Sequence, residues 1–173
     1  MILFYMSLLN FFGKKSNSFI TKYTGDKSGI ELISDGLLFE PTNTFIKWGA
    51  DIEDIVKNIP LRKERRSDRT IYRFGKQTIF NGLELDLSVT FWDAKHEDFK
   101  LFNAVEFFSI GDTGAREYLD LITSHLEKEI GMPVKNEIMD IEVFKSWRII
   151  DVRILLNFFE RHSNKLHFQI IKG

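Results

Sequence analysis

The sequence predicts an α+β protein whose antiparallel sheet of about six to eight strands carries two main helices on one face. Apolar and polar residues alternate over 83–92 and over 150–159, the period of a strand with one buried face. The pair Asn81-Gly82 before the first run is a strong hairpin signal. Apolar residues over 115–130 instead recur every three or four positions, as in an amphipathic helix.

The two helices have recognisable ends. The longer one is predicted to begin at an N-cap, Asp112 or Thr113, and to stop at Gly131 with Pro133 beyond it. The shorter one runs from about Ala50 to Pro60, with acidic residues in its first turn, where the helix dipole favours them. Both helices have apolar stripes that need a partner surface, so we expect them on the apolar face of the sheet, with the other face left open.

The chain of 173 residues has the size of one domain. We expect a short apolar or amphipathic leader over 1–18 and a single α+β domain over 19–173. A strand-helix-three-strand order is read twice, over about 36–109 and 105–173, which predicts an internal duplication with pseudo-twofold symmetry. The three strands are expected near 69–80, 83–93 and 99–109 in the first half and near 137–145, 148–159 and 165–171 in the second.

The amino-acid composition excludes several kinds of functional site from this chain. The chain has no cysteine, which excludes disulfides, thiolate metal sites and a cysteine nucleophile from this sequence. The apolar run over 1–12 is too short to span a bilayer, and its lysines follow it rather than precede it, unlike a signal peptide. We therefore expect a cytoplasmic protein in which residues 1–15 could contact a membrane surface only weakly.

Charge is uneven along the chain. Residues 57–73 contain seven basic and two acidic side chains, a charge of +5, which leaves −6 for the rest of a chain whose total is −1. Such an asymmetry can steer a charged partner. The proposed electrostatic guide is the set Arg62, Lys63, Arg65, Arg66, Arg69 and Arg73.

The open face is predicted to mix charged residues with large aromatics. Large aromatic side chains are uncommon on a face that contacts only solvent, so we interpret this face as a surface that binds a protein partner. The predicted contact residues are Trp92, Phe159, Asp86, Asp151, Arg153 and His167. Trp48 is a further candidate anchor, and Phe102 and Phe108 are aromatics that alternation also turns toward this face.

The sequence also allows two other functions. Asp86 and Asp151, brought together by the pseudo-twofold, could serve with a histidine in a small hydrolase or metal-dependent enzyme, but an ion pair of Asp151 with Arg153 explains that acid without catalysis. Serine-nucleophile and phosphate-loop motifs do not occur in the sequence, so we lean against an enzyme and predict no catalytic residue, metal or cofactor.

Single-stranded nucleic acid could bind the basic segment over 62–73, but the acidic open face and a pI near 6.4 disfavour it.

The favoured function is thus a non-enzymatic, bacterial-type cytoplasmic domain that binds another protein. In general character it is similar to immunity proteins, antitoxins and secretion chaperones, although no motif supports this analogy. The two edges of such a sheet also allow a homodimer. The sequence gives neither the partner nor the strand order, and it leaves open whether translation starts at Met1 or Met6.

Overall fold

The computed structural model describes residues 18–92, 100–110, 114–161 and 163–173. The strands within these ranges are β1 (Ile20–Lys22), β2 (Gly36–Phe39), β3 (Thr44–Lys47), β4 (Ala50–Asp51), β5 (Arg62–Arg65), β6 (Arg69–Ile79), β7 (Leu83–Trp92), β8 (Leu101–Phe102), β9 (Ala104–Ile110), β10 (Lys135–Met139), β11 (Glu142–Ile149), β12 (Val152–Arg161) and β13 (Ser163–Lys172). The helices are α1 (Gly29–Leu32), α2 (Ile52–Asn58) and α3 (Gly114–Glu129).

Eight strands form one antiparallel sheet in the order β10-β11-β12-β13-β9-β7-β6-β5. The run β5-β6-β7-β9 follows α2, the run β10-β11-β12-β13 follows α3, and the last strands of the two runs pair with each other. The predicted α+β class and the number of strands are confirmed. The internal duplication stays a prediction, because a shared order of elements does not by itself establish it.

The strand boundaries differ from the prediction in the second half. The strand expected near 137–145 is two strands, β10 and β11, with a turn between them. The strand expected near 148–159 is interrupted by a two-residue turn at Ile150 and Asp151, where Ile150 has a φ of 55°. Alternation of apolar residues continues through this turn, so the pattern alone did not reveal the break.

One apolar core lies between the sheet and the helices. The inward residues of β7 and β12 are buried, as alternation predicts, and they pack in the same cluster as residues of both main helices. From α3 the buried residues are Ala115, Leu119, Ile122 and Leu126, and from α2 they are Ile52 and Ile55. The opposite face of the sheet therefore remains uncovered by a helix among the described residues.

The helix ends agree with the sequence patterns where they can be compared. The side chain of Asp51 accepts a hydrogen bond from the backbone N–H of Glu53 at 2.7 Å and so caps α2. Gly131 has a φ of 101°, the left-handed conformation that ends α3. The proposed caps Asp112 and Thr113 lie outside the described residues.

A small three-stranded sheet, β1-β3-β2, precedes α2, and β4 pairs with β8. Trp48 follows β3 of the small sheet and precedes β4, and its side chain is buried. Its indole N–H donates to the carbonyl of Ile33 at 2.6 Å, and its ring stacks on Phe102 with centroids 5.1 Å apart. The predictions that Trp48 is a surface anchor and that Phe102 faces the open side are therefore wrong, because each ring covers the other in the core.

Among the described residues, no helix combines the length and the apolarity needed to cross a membrane. The predicted leader, apart from its last residue, lies outside the described residues. Weak membrane contact through residues 1–15 stays a prediction.

Candidate binding site on the open sheet face

A cavity of about 470 Å³ lies on the open face of the eight-stranded sheet. We call it the open-face cavity. Its walls come mainly from β6, β7, β9 and β13, four adjacent strands of the sheet. The residues that line it are Arg66, Arg69, Ile71, Arg73, Asp86, Ser88, Thr90, Trp92, Glu106, Phe108, His167 and Gln169.

Strand register explains why these side chains converge. Arg69 on β6 lies opposite Trp92 on β7. Glu106 on β9 lies opposite Ser88 on one side and Gln169 on the other. Directly opposed residues in an antiparallel sheet project to the same face, with neighbouring strands about 4.8 Å apart. The register therefore gathers residues from distant parts of the sequence into one patch.

Glu106 occupies the floor of the cavity. Its side chain is only 14% exposed. Its carboxylate accepts a hydrogen bond from the hydroxyl of Thr90, and the Nε2 atom of His167 lies 3.3 Å from its other oxygen. Burial by itself raises the pKa of Glu106, but the bonds from His167 and Thr90, with the charges of His167 and Arg69, outweigh burial and lower it. The floor is therefore an ionised, anchored carboxylate at neutral pH.

An aromatic wall stands beside this carboxylate. The imidazole of His167 lies parallel to the ring of Phe108, with centroids 3.9 Å apart and planes inclined by 14°. The Phe108 ring is 55% exposed although it is a large apolar side chain. The stack fixes the imidazole from one side and presents the phenyl ring to solvent.

The opposite wall combines a tryptophan with an arginine. The guanidinium carbon of Arg69 lies 4.7 Å from the centroid of the Trp92 ring, a cation–π contact. Trp92 is 62% exposed, so most of its ring remains available to a partner. Arg69 is also 3.8 Å from Asp68, a loose ion pair at the surface.

Two further arginines are held by one acid. Glu64 on β5 pairs with Arg66 and with Arg73, the latter at 3.1 Å. Hydrogen bonds from Arg66 and then from Arg73 are the main reasons why the pKa of Glu64 is lowered. The shared acid restricts both guanidinium groups at the rim of the cavity and offsets part of their charge.

Seven of the residues named from the sequence for the open face or the basic guide meet in this cavity. They are Trp92, Phe108, Asp86, His167, Arg66, Arg69 and Arg73. The other three members of the basic guide, Arg62, Lys63 and Arg65, lie on the edge strand β5 and do not line the cavity. Lys63 lies opposite Tyr72, a core residue, and its ammonium is 5.4 Å from that ring. The basic segment is therefore divided between the two faces of the sheet.

Phe159 and Arg153 lie on β12, outside the cavity lining. Both are exposed, and they share the face of the sheet that carries His167, since Phe159 is opposite Lys165 and Arg153 is opposite Ile171. They belong to the open face on β12, which pairs directly with the cavity strand β13, but neither side chain lines the cavity.

The placement of Asp151 corrects the sequence interpretation. Asp151 lies in the turn between β11 and β12, and its carboxylate pairs with Lys172 rather than with Arg153. The hydrogen bond from Lys172 is the main cause of its lowered pKa. Because β12 and β7 are three strand spacings apart, about 14 Å at the usual distance, the sheet does not bring Asp151 to Asp86. The proposed pair of catalytic carboxylates is not assembled.

Sequence reasoning missed Glu106. One signal was available, since Glu106 is an acidic residue between the buried Val105 and Phe107 on an alternating run. Its partners Thr90 and His167 could not be assigned without the strand order.

Among the described residues, no three His, Asp or Glu side chains are grouped so that they could hold a metal ion. The chain matches no protein-family model, and neither a curated protein nor a solved structure is significantly similar to it.

Proposed function

We propose that this chain is a protein-binding domain that uses the open-face cavity and the aromatic rings in its walls to bind a partner. The observation that carries the proposal is the exposure of two large rings, Trp92 and Phe108, on opposite sides of a cavity with an anchored floor. Tryptophan, tyrosine and arginine are the residues most enriched among those that dominate binding energy at protein interfaces.

The exposure of these rings favours a protein over a small molecule. A small-molecule site encloses most of its ligand and turns its aromatic walls inward. Here Trp92 and Phe108 are each more than half exposed, so much of their surface would be covered only by a ligand that extends beyond the cavity. A protein segment meets this requirement, with one side chain entering the cavity and its neighbours covering the rings.

Charge favours a partner with an acidic segment. Arg66, Arg69 and Arg73 line the cavity, and Arg62 extends the basic surface along β5. Such a field accelerates association with an acidic surface and orients it before contact. Asp86 and Glu106 supply acceptors inside the cavity, so the partner segment is expected to combine acidic residues with at least one hydrogen-bond donor.

Rigidity supports the same function. Glu106 is held by Thr90 and His167, His167 is stacked on Phe108, and Arg66 and Arg73 share Glu64. A site whose side chains are already oriented loses less conformational entropy on binding. Immunity proteins, antitoxins and secretion chaperones are the classes of binder that we propose, together with a cytoplasmic location.

The test compares proteins captured from the native host by three forms of the chain. The wild type is compared with the double variant Trp92→Ala, Phe108→Ala and with a control, Leu121→Ala, which removes an exposed apolar side chain from α3. We expect a protein that is enriched by the wild type and by the control but lost by the double variant. If all three forms capture the same proteins equally, the open face is not the binding surface.

A further inference from the structure

We infer that the chain forms a homodimer in which strand β10 pairs antiparallel with β10 of a second copy, joining two eight-stranded sheets. This inference is independent of the open-face cavity, because β10 lies at the far edge of the sheet, four strands from β9.

The two edges of the sheet differ in character. Strand β5 at one edge consists of four charged residues, Arg62–Arg65. Charged edge strands resist pairing with another chain, which is how many proteins protect their sheet edges. Strand β10 at the other edge has the sequence KNEIM, and all five of its residues are exposed. Among the described residues no strand pairs with the outer side of β10, so its outer backbone groups can pair with another chain, and β10 lacks the continuous charge that protects β5.

Large apolar side chains are concentrated around β10. Met132, Val134, Ile138, Met139 and Ile141 are all exposed, with Met132, Val134 and Ile138 each more than 70% exposed. Apolar side chains scattered singly over a surface need no explanation, but a cluster within ten residues at an unpaired edge marks an interaction surface. Burial of this cluster would stabilise a pairing that the backbone hydrogen bonds orient.

The sequence of β10 is complementary to itself. A twofold axis through Asn136 sets Lys135 opposite Glu137 of the second copy, and the reverse pair forms on the other side of the axis. The same register sets Val134 opposite Ile138 of the second copy. Directly opposed side chains lie on the same face of an antiparallel sheet. Pairs of opposite charge and pairs of apolar side chains in such positions stabilise the sheet. Within one chain Lys135 and Glu137 are already 3.0 Å apart, so the dimer would contain a ladder of four alternating charges.

The apolar residues 1–12 are the alternative occupant of this edge. They contain no charged side chain, so they cannot add an ionic contact to the Lys135–Glu137 pair of one chain. A second copy adds an opposite charge beside each of the two residues, and we therefore commit to the dimer.

Sedimentation velocity over a range of protein concentrations tests the inference on the full chain. We expect a dimer for the wild type, a monomer for Ile138→Lys, and a dimer for Leu121→Lys, which adds the same charge to an exposed site on α3. A wild type that stays monomeric at the highest concentration overturns the proposal. So does a chain beginning at residue 18 that dimerises while the full chain does not, because residues 1–17 would then cover the edge.

Charge reversal tests the register. Lys135→Glu and Glu137→Lys each place like charges opposite one another in both pairs. The dimerisation affinity of each variant alone should therefore be at least about tenfold lower than that of the wild type. An equimolar mixture of the two variants restores both ionic pairs and should dimerise like the wild type, as should the double variant Lys135→Glu, Glu137→Lys. Single variants that dimerise normally, or a mixture that gains nothing over them, would overturn the register. Far-UV circular dichroism confirms that each variant is folded.

Discussion

The carboxylate of Glu106 lies 3.3 Å from the Nε2 atom of His167, although the two residues are 61 positions apart in the chain. The contact runs diagonally across β9 and β13, since the residue directly opposite Glu106 is Gln169. It joins the last strands of the two halves of the sheet at the floor of the open-face cavity. Both the stability of the fold and the shape of the proposed binding site therefore depend on this pair.

Replacement of Glu106 by glutamine is expected to make stability less dependent on pH. Because the pKa of Glu106 in the folded protein lies below its ordinary value of 4.5, its ionised form stabilises the fold above pH 4.5. This contribution is lost as the pH falls below 4.5 through the lowered pKa. Urea unfolding should show the wild type about 1 kcal/mol more stable than Glu106→Gln at pH 7, with the difference shrinking toward pH 3.

The control for this experiment is Glu84→Gln, which removes an exposed carboxylate on the neighbouring strand β7. Glu84 pairs with Lys76 at the surface, so its loss should change the free energy of unfolding by less than about 0.5 kcal/mol. A difference between wild type and Glu106→Gln that is unchanged between pH 7 and pH 3 would contradict the assignment of an ionised, stabilising Glu106.

Truncation of two phenylalanines on neighbouring segments should lower the stability by very different amounts. Phe102→Ala should lower the free energy of unfolding by about 3–5 kcal/mol, because Phe102 is fully buried against Trp48 and Phe74. Phe108→Ala should lower it by less than about 1 kcal/mol, because that ring is mostly exposed and contributes mainly its stack on His167. Chemical denaturation measures both. Equal losses would mean that Phe108 is a core residue rather than a binding residue.

Arg69→Ala is expected to weaken binding of the captured partner by at least about tenfold, because it removes both a charge and the cation–π contact with Trp92. Lys76→Ala is the matched control, since Lys76 is also basic and on β6 but does not line the cavity. Titration calorimetry should show a smaller effect for the control. Arg69→Lys should restore less than half of the lost free energy, since an ammonium lacks the planar stack.

Added salt should weaken the same complex. Basic residues at the rim attract an acidic partner over a range of about 10 Å at 0.1 M salt, and this attraction is screened as salt rises. Stopped-flow measurements between 0.05 M and 0.5 M salt should show a falling association rate and a dissociation rate that changes little. An association rate independent of salt would exclude the basic rim as an electrostatic guide.

Local patterns in the sequence predict much of this fold. Alternation over 83–92 gives both the strand and the face on which Asp86 and Trp92 lie, because the period of a strand is fixed by its backbone geometry. The end of α3 follows equally well from Gly131. These features depend only on neighbouring residues.

Features that depend on strand order could not be predicted. The sequence predicts Trp48 at the surface, because nothing nearby along the chain indicates that Phe102 covers it. It predicts Asp151 within a strand, because apolar residues keep alternating through the turn that contains it. It does not indicate the role of Glu106, because the partners of that residue come from two other strands. In each case the deciding contact is made by a residue far away in the chain.

The most direct test of the open-face proposal is site-specific crosslinking in the native host. A photoreactive phenylalanine analogue is introduced at position 108, at the rim of the cavity, or at position 121, on the exposed side of α3. We predict that irradiation crosslinks the protein captured by the wild type to position 108 and not to position 121. Crosslinks at position 121 alone, or equally at both positions, would contradict the proposal that the open sheet face binds the partner.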